Sequence, residues 1–470
     1  MAVKTETLLD LVRSSGGTVV VDGRAWRSAD IIAGASRSAG GFRSRNVQQG
    51  DGVLLVDDSA GIDLLAALLG AWWVGARAVV VPGTDDTART ESIREQTGAG
   101  LIVRREGPPA RDAVTFADLL AGDPAKDGSE VCVPEDFALD VASSGTTGRP
   151  KCVSYTHAAL GSNVRAYAAR LGLTGRDVLY SPLPLSLAGV LGMVLLPGLV
   201  AGATTHIGRL EGAGLARAQT QLRAAKPTLL YGVPYVFDFL ARQRAERPGD
   251  QLRWAICSSA PLPENTFDRV WDSLGVPPRS SYCLAEAATV TLNTSSDPDN
   301  LRRSVGEPLE GVEISVEPTG AEHRAGRLAI GGTSCGAGYR RQGVIEPFAG
   351  GRVLTNDLGF LEGGSLTVTG RVDEVIQVAG QNVDLAHVRR VVSRCPGLGD
   401  FDVAIDRHEN LGPVPILLAE AKTLTVSPRE VIAFCRGELR DIEVPREVRV
   451  VERIPRTPTG KVRLAGPSAP

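Results

Sequence analysis

A chain of 470 residues is too long to fold around one core, so two or three domains are expected. Hydrophobic residues at 43% and charged residues at 22% describe an ordinary soluble globular protein and exclude a disordered or fibrous one. The net charge of -3 comes with both signs scattered and no basic block, which excludes a nucleic-acid or anionic-membrane surface as the main interface.

The N-terminus, MAVKTETLLDLVRSS, has no apolar core of signal-peptide type. Apolar runs then alternate with helical patterns. GVLLV at 52–56, ARAVVV at 76–81, ALDVAS at 138–143 and TLLYGV at 228–233 read as strands, with helices over 61–74 and 215–225. Short apolar strands separated by helices predict an α/β fold whose parallel sheets are covered on both faces. The most membrane-like stretch, LPLSLAGVLGMVLLPGLVAGA at 183–203, is long enough to span a bilayer, but Pro184, Pro197 and its glycines break it. It reads as a buried helix of a large core, with no membrane span. Near Gly306 the pattern shifts to short strands and turns (VEISV, GRLAIGG, GRVLT, SLTVTGR), predicting a β-rich subdomain over about 306–370. After Asp373 come a strand, a helix over 384–393, a strand, a helix over 428–439 and the strand EVRVV, a small α+β module. The expected domains are therefore 1–372 and 373–470. Seven cysteines in an odd, scattered set without CxxC argue against a disulfide framework and a zinc cluster, and fit a reducing cytoplasm. No HExxH or similar set suggests bound zinc.

The strongest motif is Ser143-Ser144-Gly145-Thr146-Thr147-Gly148-Arg149-Pro150-Lys151, directly after an apolar strand. Successive backbone N–H groups in such a loop form an anion-binding concavity, and glycines let the backbone approach a phosphate. Hydroxyls add donors and Lys151 adds a cation. It is one of only six lysines among 51 basic residues. An ordinary Ser/Gly-rich turn is the plainer alternative, and the spacing is not that of a Walker A loop. The stretch SSGTTGRPKCVSYTH resembles the (S/T)SGTTGxPKG signature of the adenylate-forming superfamily. That superfamily includes acyl- and aryl-CoA synthetases, nonribosomal-peptide adenylation domains and firefly-type luciferases. The chain looks most like a stand-alone acyl-CoA ligase.

Further motifs follow in the order this resemblance requires. Cys257-Ser258-Ser259-Ala260-Pro261-Leu262 resembles the GGAPL strand end, which implies that Ser259 and Ala260 lie beside adenine. Ser280-Ser281-Tyr282-Cys283-Leu284-Ala285-Glu286 resembles YGxTE, with Cys283 for Gly and Ala285 for Thr. The resemblance implies that Tyr282, Cys283 and Ala285 border the nucleotide and that Glu286, with Thr146, holds Mg²⁺. Leu354-Thr355-Asn356-Asp357-Leu358-Gly359 resembles TGDLG, which implies that Asp357 accepts hydrogen bonds from the ribose hydroxyls. Gly370-Arg371-Val372-Asp373-Glu374-Val375-Ile376 resembles GRxDDxIK, which implies that Arg371 reaches the nucleotide and Asp373 is the hinge of the small domain. Gln377 replaces the usual Lys, and His387 replaces an acid in GQNVDLAHVRRV. Pro455-Arg456-Thr457-Pro458-Thr459-Gly460-Lys461 resembles PRTPTGK, which implies that Lys461 bridges the substrate carboxylate and the α-phosphate. Weaker matches are LPLSLAG at 183–189 against LPLFHxxG, and the stretch from Gly50-Asp51 to Pro82.

The resemblance implies two half-reactions. A carboxylate attacks Mg-ATP, giving acyl-adenylate and pyrophosphate; a thiol of CoA or of an acyl carrier protein then takes the acyl group. An acyl pocket around Tyr231, Gly232, Val233, Ser258, Ala260, Cys283 and Leu284 is neutral and mostly apolar. It has no acidic residue where amino-acid-activating members hold an α-ammonium, which favours an aryl or medium acyl acid. The chain has no attached carrier or condensation domain and would act as a stand-alone monomer or homodimer in a biosynthetic pathway. The departures at Cys152, Cys283, Ala285, Gln377 and His387 keep a rival open: an amine acceptor, or an oxyanion such as nitrite in place of the carboxylate. A non-catalytic nucleotide sensor is a second rival, opposed by the joint presence of Lys151, Glu286, Asp357, Arg371 and Lys461. A plain NTPase is a third, opposed by the missing Walker A loop.

Overall fold

A computed structural model describes residues 6–57, 61–83, 87–107, 112–125, 132–142, 150–208, 214–242, 250–318, 325–378, 381–408 and 412–454. The apolar runs form two large sheets. In the first, Pro278–Leu284, Trp254–Cys257, Leu229–Gly232, Val178–Ser181, Thr204–Ile207 and Thr18–Val21 lie parallel in that spatial order, and antiparallel strands close both edges. In the second, Phe137–Ala142, Arg77–Val81, Gly52–Val56, Ala99–Arg104 and Ala113–Thr115 lie parallel, extended antiparallel by Cys152–Thr156 and Gly338–Arg341. The central strands are buried on both faces, which is why they read as unbroken Val/Leu runs.

Helix His157–Leu171 packs against strands of both sheets. Thr156 caps it by accepting from the Ala159 N–H at 3.1 Å, and Gly172 ends it at φ 59°, where a side chain would strain the backbone. Its Asn163 binds both backbone groups of Thr289, at 2.9 and 3.2 Å, tying the helix to the first sheet without leaving the amide unpaired. The expected helices over 61–74 and 215–225 span Ile62–Trp73 and Gly214–Ala225. The segment 183–203 is a broken helix with a π turn at Leu191–Leu195, and no helix among the described residues is long and apolar enough to cross a membrane.

In the 306–370 stretch, Glu313–Pro318, Gly326–Gly331, Arg352–Glu362 and Ser365–Arg371 form an antiparallel sheet. Gly338–Arg341 and Val344–Pro347 leave it to extend the edge of the second large sheet, a pairing that sequence pattern could not choose. From Ile376 to Val444 a second core forms, separate from the one that runs from Leu8 to Leu366. It lies under helices Leu385–Val392 and Pro428–Glu438 and a three-stranded sheet. Ion pairs Arg394–Glu264 at 3.4 Å and Arg242–Asp400 at 3.8 Å link the two bodies. No disulfide joins the seven cysteines, all of which are among the described residues.

One core histidine makes stability depend on pH. His157 is 1% exposed and packs edge-on to Trp72, with ring centroids 5.3 Å apart. Neither ring nitrogen has a partner among the described residues. Burial lowers its pKa from 6.5 to about 4. The unfolded chain therefore binds a proton that the folded chain refuses, and stability falls as pH drops from 6.5 towards 4, by about 3 kcal/mol in all. His157→Phe is expected to flatten that part of the profile. Urea midpoints at pH 7 and pH 5 check it: equal acid sensitivity in variant and parent would remove His157 as the cause.

Candidate active site

A cleft of about 2350 Å³ opens at the carboxyl ends of the first sheet's strands and continues between the two cores. Such strand ends are where open α/β sheets bind ligands, because no side chain continues the layer there. Strand Phe137–Ala142 ends where the 143–149 motif begins in the sequence. Ser143, Ser144, Gly145, Thr146, Thr147 and Gly148 lie outside the described residues, as does Lys461.

Lys151, just beyond that loop, lines the cleft, and its Nζ lies 5.3 Å from the centroid of the Tyr339 ring. The Tyr339 hydroxyl donates to Glu286 Oε1 at 2.8 Å. Burial, and next the Glu286 charge, push the Tyr339 phenol up, so it remains a donor. Glu286 sits in a turn that Tyr155 clamps: the buried Tyr155 hydroxyl donates to the Ala285 carbonyl at 2.7 Å and accepts from the Ala288 N–H at 2.7 Å. Ala288 has φ 50°, uncommon for a residue with a side chain, and the Tyr155 hydrogen bond helps hold it. No three His, Cys, Asp or Glu side chains cluster as a metal site among the described residues. A single carboxylate suits Mg²⁺, a hard cation that keeps waters and binds largely through substrate phosphates. Glu286 fits that requirement. Tyr155→Phe is expected to weaken Mg-ATP binding roughly three- to tenfold by loosening the Glu286 turn. Calorimetric titration with and without Mg²⁺ checks it: an equal loss in both conditions would sink the link to the metal.

Asp357 and Arg371 are cross-strand partners in the antiparallel pair Arg352–Glu362 and Ser365–Arg371. Arg371 Nη1 donates to Asp357 Oδ1 at 3.0 Å, while its Nε and Nη2 bind both oxygens of Asp373 at 2.8 and 2.9 Å. The Arg371 guanidinium holds the Asp373 carboxyl below its ordinary pKa. Tyr282 donates its hydroxyl to Asp357 Oδ2, and burial, then the Asp357 charge, push that phenol far up. Asn356, the departure from TGDLG, accepts from Arg327 Nη2 at 3.0 Å.

Tyr231, Val233, Ser259, Ala260, Cys283, Leu284 and Ala285 also border the cleft. Ser259 sits at φ 74° just past the end of strand Trp254–Cys257. Two residues expected in the acyl pocket lie behind its surface: Gly232 is buried, and Ser258, 1% exposed, meets Tyr231 Oη at 2.7 Å. Sequence reasoning missed Tyr155 and Tyr339. Tyr155 lies within SSGTTGRPKCVSYTH, but its partners are some 130 residues away, and no local spacing signals such contacts.

Glu286, bound by the Tyr339 phenol, and Arg371, bound to Asp357 and Asp373, line one cleft, and the match of the whole chain to known proteins gives its class, an AMP-forming ligase. The chain belongs to the AMP-binding enzyme family: that family's model matches residues 13–340, and the model for the AMP-binding enzyme C-terminal domain matches 390–461. A similar protein is the 3-hydroxybenzoate–CoA/4-hydroxybenzoate–CoA ligase of Thauera aromatica, 27% identical, covering 92% of this chain and 90% of that one. The fold is shared with o-succinylbenzoate CoA synthetase of Bacillus subtilis. In complex with its acyl-adenylate intermediate, that enzyme matches with TM-score 0.84 at 21% identity over 97% of this chain and 96% of the other. In complex with ATP and magnesium ion it matches with TM-score 0.83 at 21% identity, over 97% and 98%.

Proposed function

We propose that the chain activates an uncharged aryl or medium-chain acyl acid with ATP and passes the acyl group to the thiol of CoA. The observation that carries the reading is the convergence of Glu286, Asp357 and Arg371 on one cleft whose inner wall, at Tyr231 and Val233, is neutral. The hydroxybenzoate specificity of the Thauera aromatica relative supports an aryl acid, and its use of CoA supports that acceptor over a carrier protein or an amine. The small body takes residues 373–470, with Asp373 as the hinge.

In the first half-reaction a carboxylate oxygen bonds to the α-phosphorus as the bond to pyrophosphate breaks. Asp357 holds the ribose, Arg371 faces the nucleotide, and the 143–149 backbone with Lys151 receives the phosphates. Positioning and charge stabilisation supply most of the rate in such chemistry. Glu286 and Thr146 would hold Mg²⁺, which offsets phosphate charge when bound. Lys461 neutralises charge as the carboxylate attacks. In the second half-reaction the small body turns about Asp373 and withdraws Lys461. The thiol sulfur then bonds to the acyl carbon, its proton is released, and AMP leaves. A cytoplasmic setting suits cysteines without disulfides.

ATP–pyrophosphate exchange against aryl, acyl and amino acids, with nitrite included, tests the reading. Exchange with an aryl or acyl acid, followed by AMP release that depends on CoA, is the expected result. Exchange with nitrite alone, or turnover only with an amine, would replace it. Lys461→Ala that still adenylates at full rate would remove that residue's role.

A further inference from the structure

Two neighbouring carboxylates at the junction of the two bodies are held from opposite sides. The junction is the 3₁₀ turn Val372–Glu374, between strands Ser365–Arg371 and Val375–Val378. Asp373 is bound by Arg371, whose Nε and Nη2 meet its two oxygens at 2.8 and 2.9 Å. Glu374 pairs with Arg389 at 3.5 Å, and Arg389 Nε binds Asp402 at 2.9 Å. Arg371 ends a strand whose Leu366 lies in the large core, whereas Arg389 and Asp402 sit on the helix and strand of the small one. The division between the bodies therefore falls between residues 373 and 374.

A third side chain reaches Asp373. Asn356 stands in strand Arg352–Glu362, at the position where the TGDLG pattern has glycine. Its Oδ1 accepts from Arg327 Nη2 at 3.0 Å, and Arg327 Nε also donates to the Thr355 carbonyl. With the oxygen turned to Arg327, the amide offers its N–H donors elsewhere, and a carboxylate can only accept. The Asn356 side chain hydrogen-bonds Asp373 and, after Arg371, helps hold that carboxyl below its ordinary pKa. Glycine has no such donor, so this contact is a feature of this chain and not of the pattern.

The contacts restrain the backbone as well as the side chain. Arg371 and Asn356 both belong to strands of the large body, so they hold the Asp373 carboxylate in that body's frame. Turning the N–Cα bond of Asp373 would swing the carboxylate off these donors. Glu374, one residue on, is held in the frame of the small body. A rotation that uses Asp373 must therefore first break its contacts, and hinges are positions that absorb such backbone changes.

We propose that Asn356 is a positioning residue for the hinge: its amide completes a clasp on Asp373 that must open before the small body turns between the two half-reactions. This rests on the reading that the small body turns about Asp373.

The test compares the parent with Asn356→Gly and Asn356→Asp in the full chain, with melting temperatures to confirm folding. Asp keeps the shape of Asn and the acceptor for Arg327, but puts an oxygen where the donor faced Asp373. Hydrogen–deuterium exchange of the 372–375 amides reads the opening, because the rate scales with the population of the open form. Asn356→Gly is expected to speed that exchange roughly three- to tenfold, the worth of one hydrogen bond at a half-exposed carboxylate. Asn356→Asp is expected to speed it further, since like charges then face each other. With an acid that the enzyme activates, the ratio of CoA-dependent turnover to ATP–pyrophosphate exchange should change by about threefold or more in the glycine variant and further, in the same direction, in the aspartate one. Amide exchange within about twofold of the parent in both variants would overturn the clasp. So would a larger effect of Gly than of Asp, which marks a packing role. Faster amide exchange with an unchanged ratio would take the clasp off the reaction path and overturn the inference. If no acid is activated, the amide exchange still judges the clasp, while the activation reading falls by itself.

Discussion

Asp140→Ala is expected to destabilise the protein by about 3–5 kcal/mol, the usual cost of removing one partner of a buried ion pair. Asp140 lies fully buried between two arginines whose side chains are 8% and 5% exposed: Arg77 Nε is 2.9 Å from Oδ2 and Arg340 Nε is 3.2 Å from it. The Ser154 hydroxyl also donates to Oδ1. The other guanidinium nitrogens are only partly satisfied. Arg77 reaches the Gly50 and Thr97 carbonyls and Arg340 reaches the Gly343 carbonyl at 2.6 Å, but Arg340 Nη2 has no partner among the described residues. Deleting the carboxylate would leave two buried cations facing each other. The loss also reaches the site, because Arg340 follows Tyr339 on the strand that pairs with Cys152–Thr156. Urea denaturation checks the claim: the midpoint should fall at constant slope. A shift worth under about 1 kcal/mol would show that water or relaxation compensates the arginines.

Asp357→Ala is expected to weaken ATP binding roughly 10- to 100-fold, the worth of one or two hydrogen bonds to a charged acceptor. Tyr282 and Arg371 already hold this carboxylate from two sides, and its side chain is 8% exposed, so it is oriented before any ligand arrives. Pre-orientation lowers the entropy cost of binding. The fold should survive, because Arg371 keeps Asp373 and its side chain is 39% exposed. Calorimetric titration reads the affinity, and Asp357→Asn should fall between parent and alanine variant. ATP affinity within about twofold of the parent would remove Asp357 from the ribose site.

Several residues that line the cleft could be singled out in the sequence because they lie in short, unusual strings. Tyr282 to Glu286, Asp357 and Arg371 each sit in a short local motif that can be read without knowing what the rest of the chain does. The cross-strand pairing of Asp357 with Arg371 was not legible, because it depends on the register of a hairpin with a bulge between Leu358 and Gly359. The roles of Tyr155 and Tyr339 as holders of Glu286 were hidden for the same reason.

By itself the sequence determined the parallel α/β architecture, with a β-rich stretch and a small C-terminal module after it, and the motifs that mark the AMP-binding enzyme family. Hydrophobic period and local turn chemistry act over a few residues, so a single strand of text records them. Only the tertiary structure decided that Gly338–Arg341 joins the second sheet, that Asp140 holds two arginines and that Ser258 lies behind the pocket wall. Those outcomes depend on which distant surfaces meet and at what register, and that is fixed by packing the whole core at once.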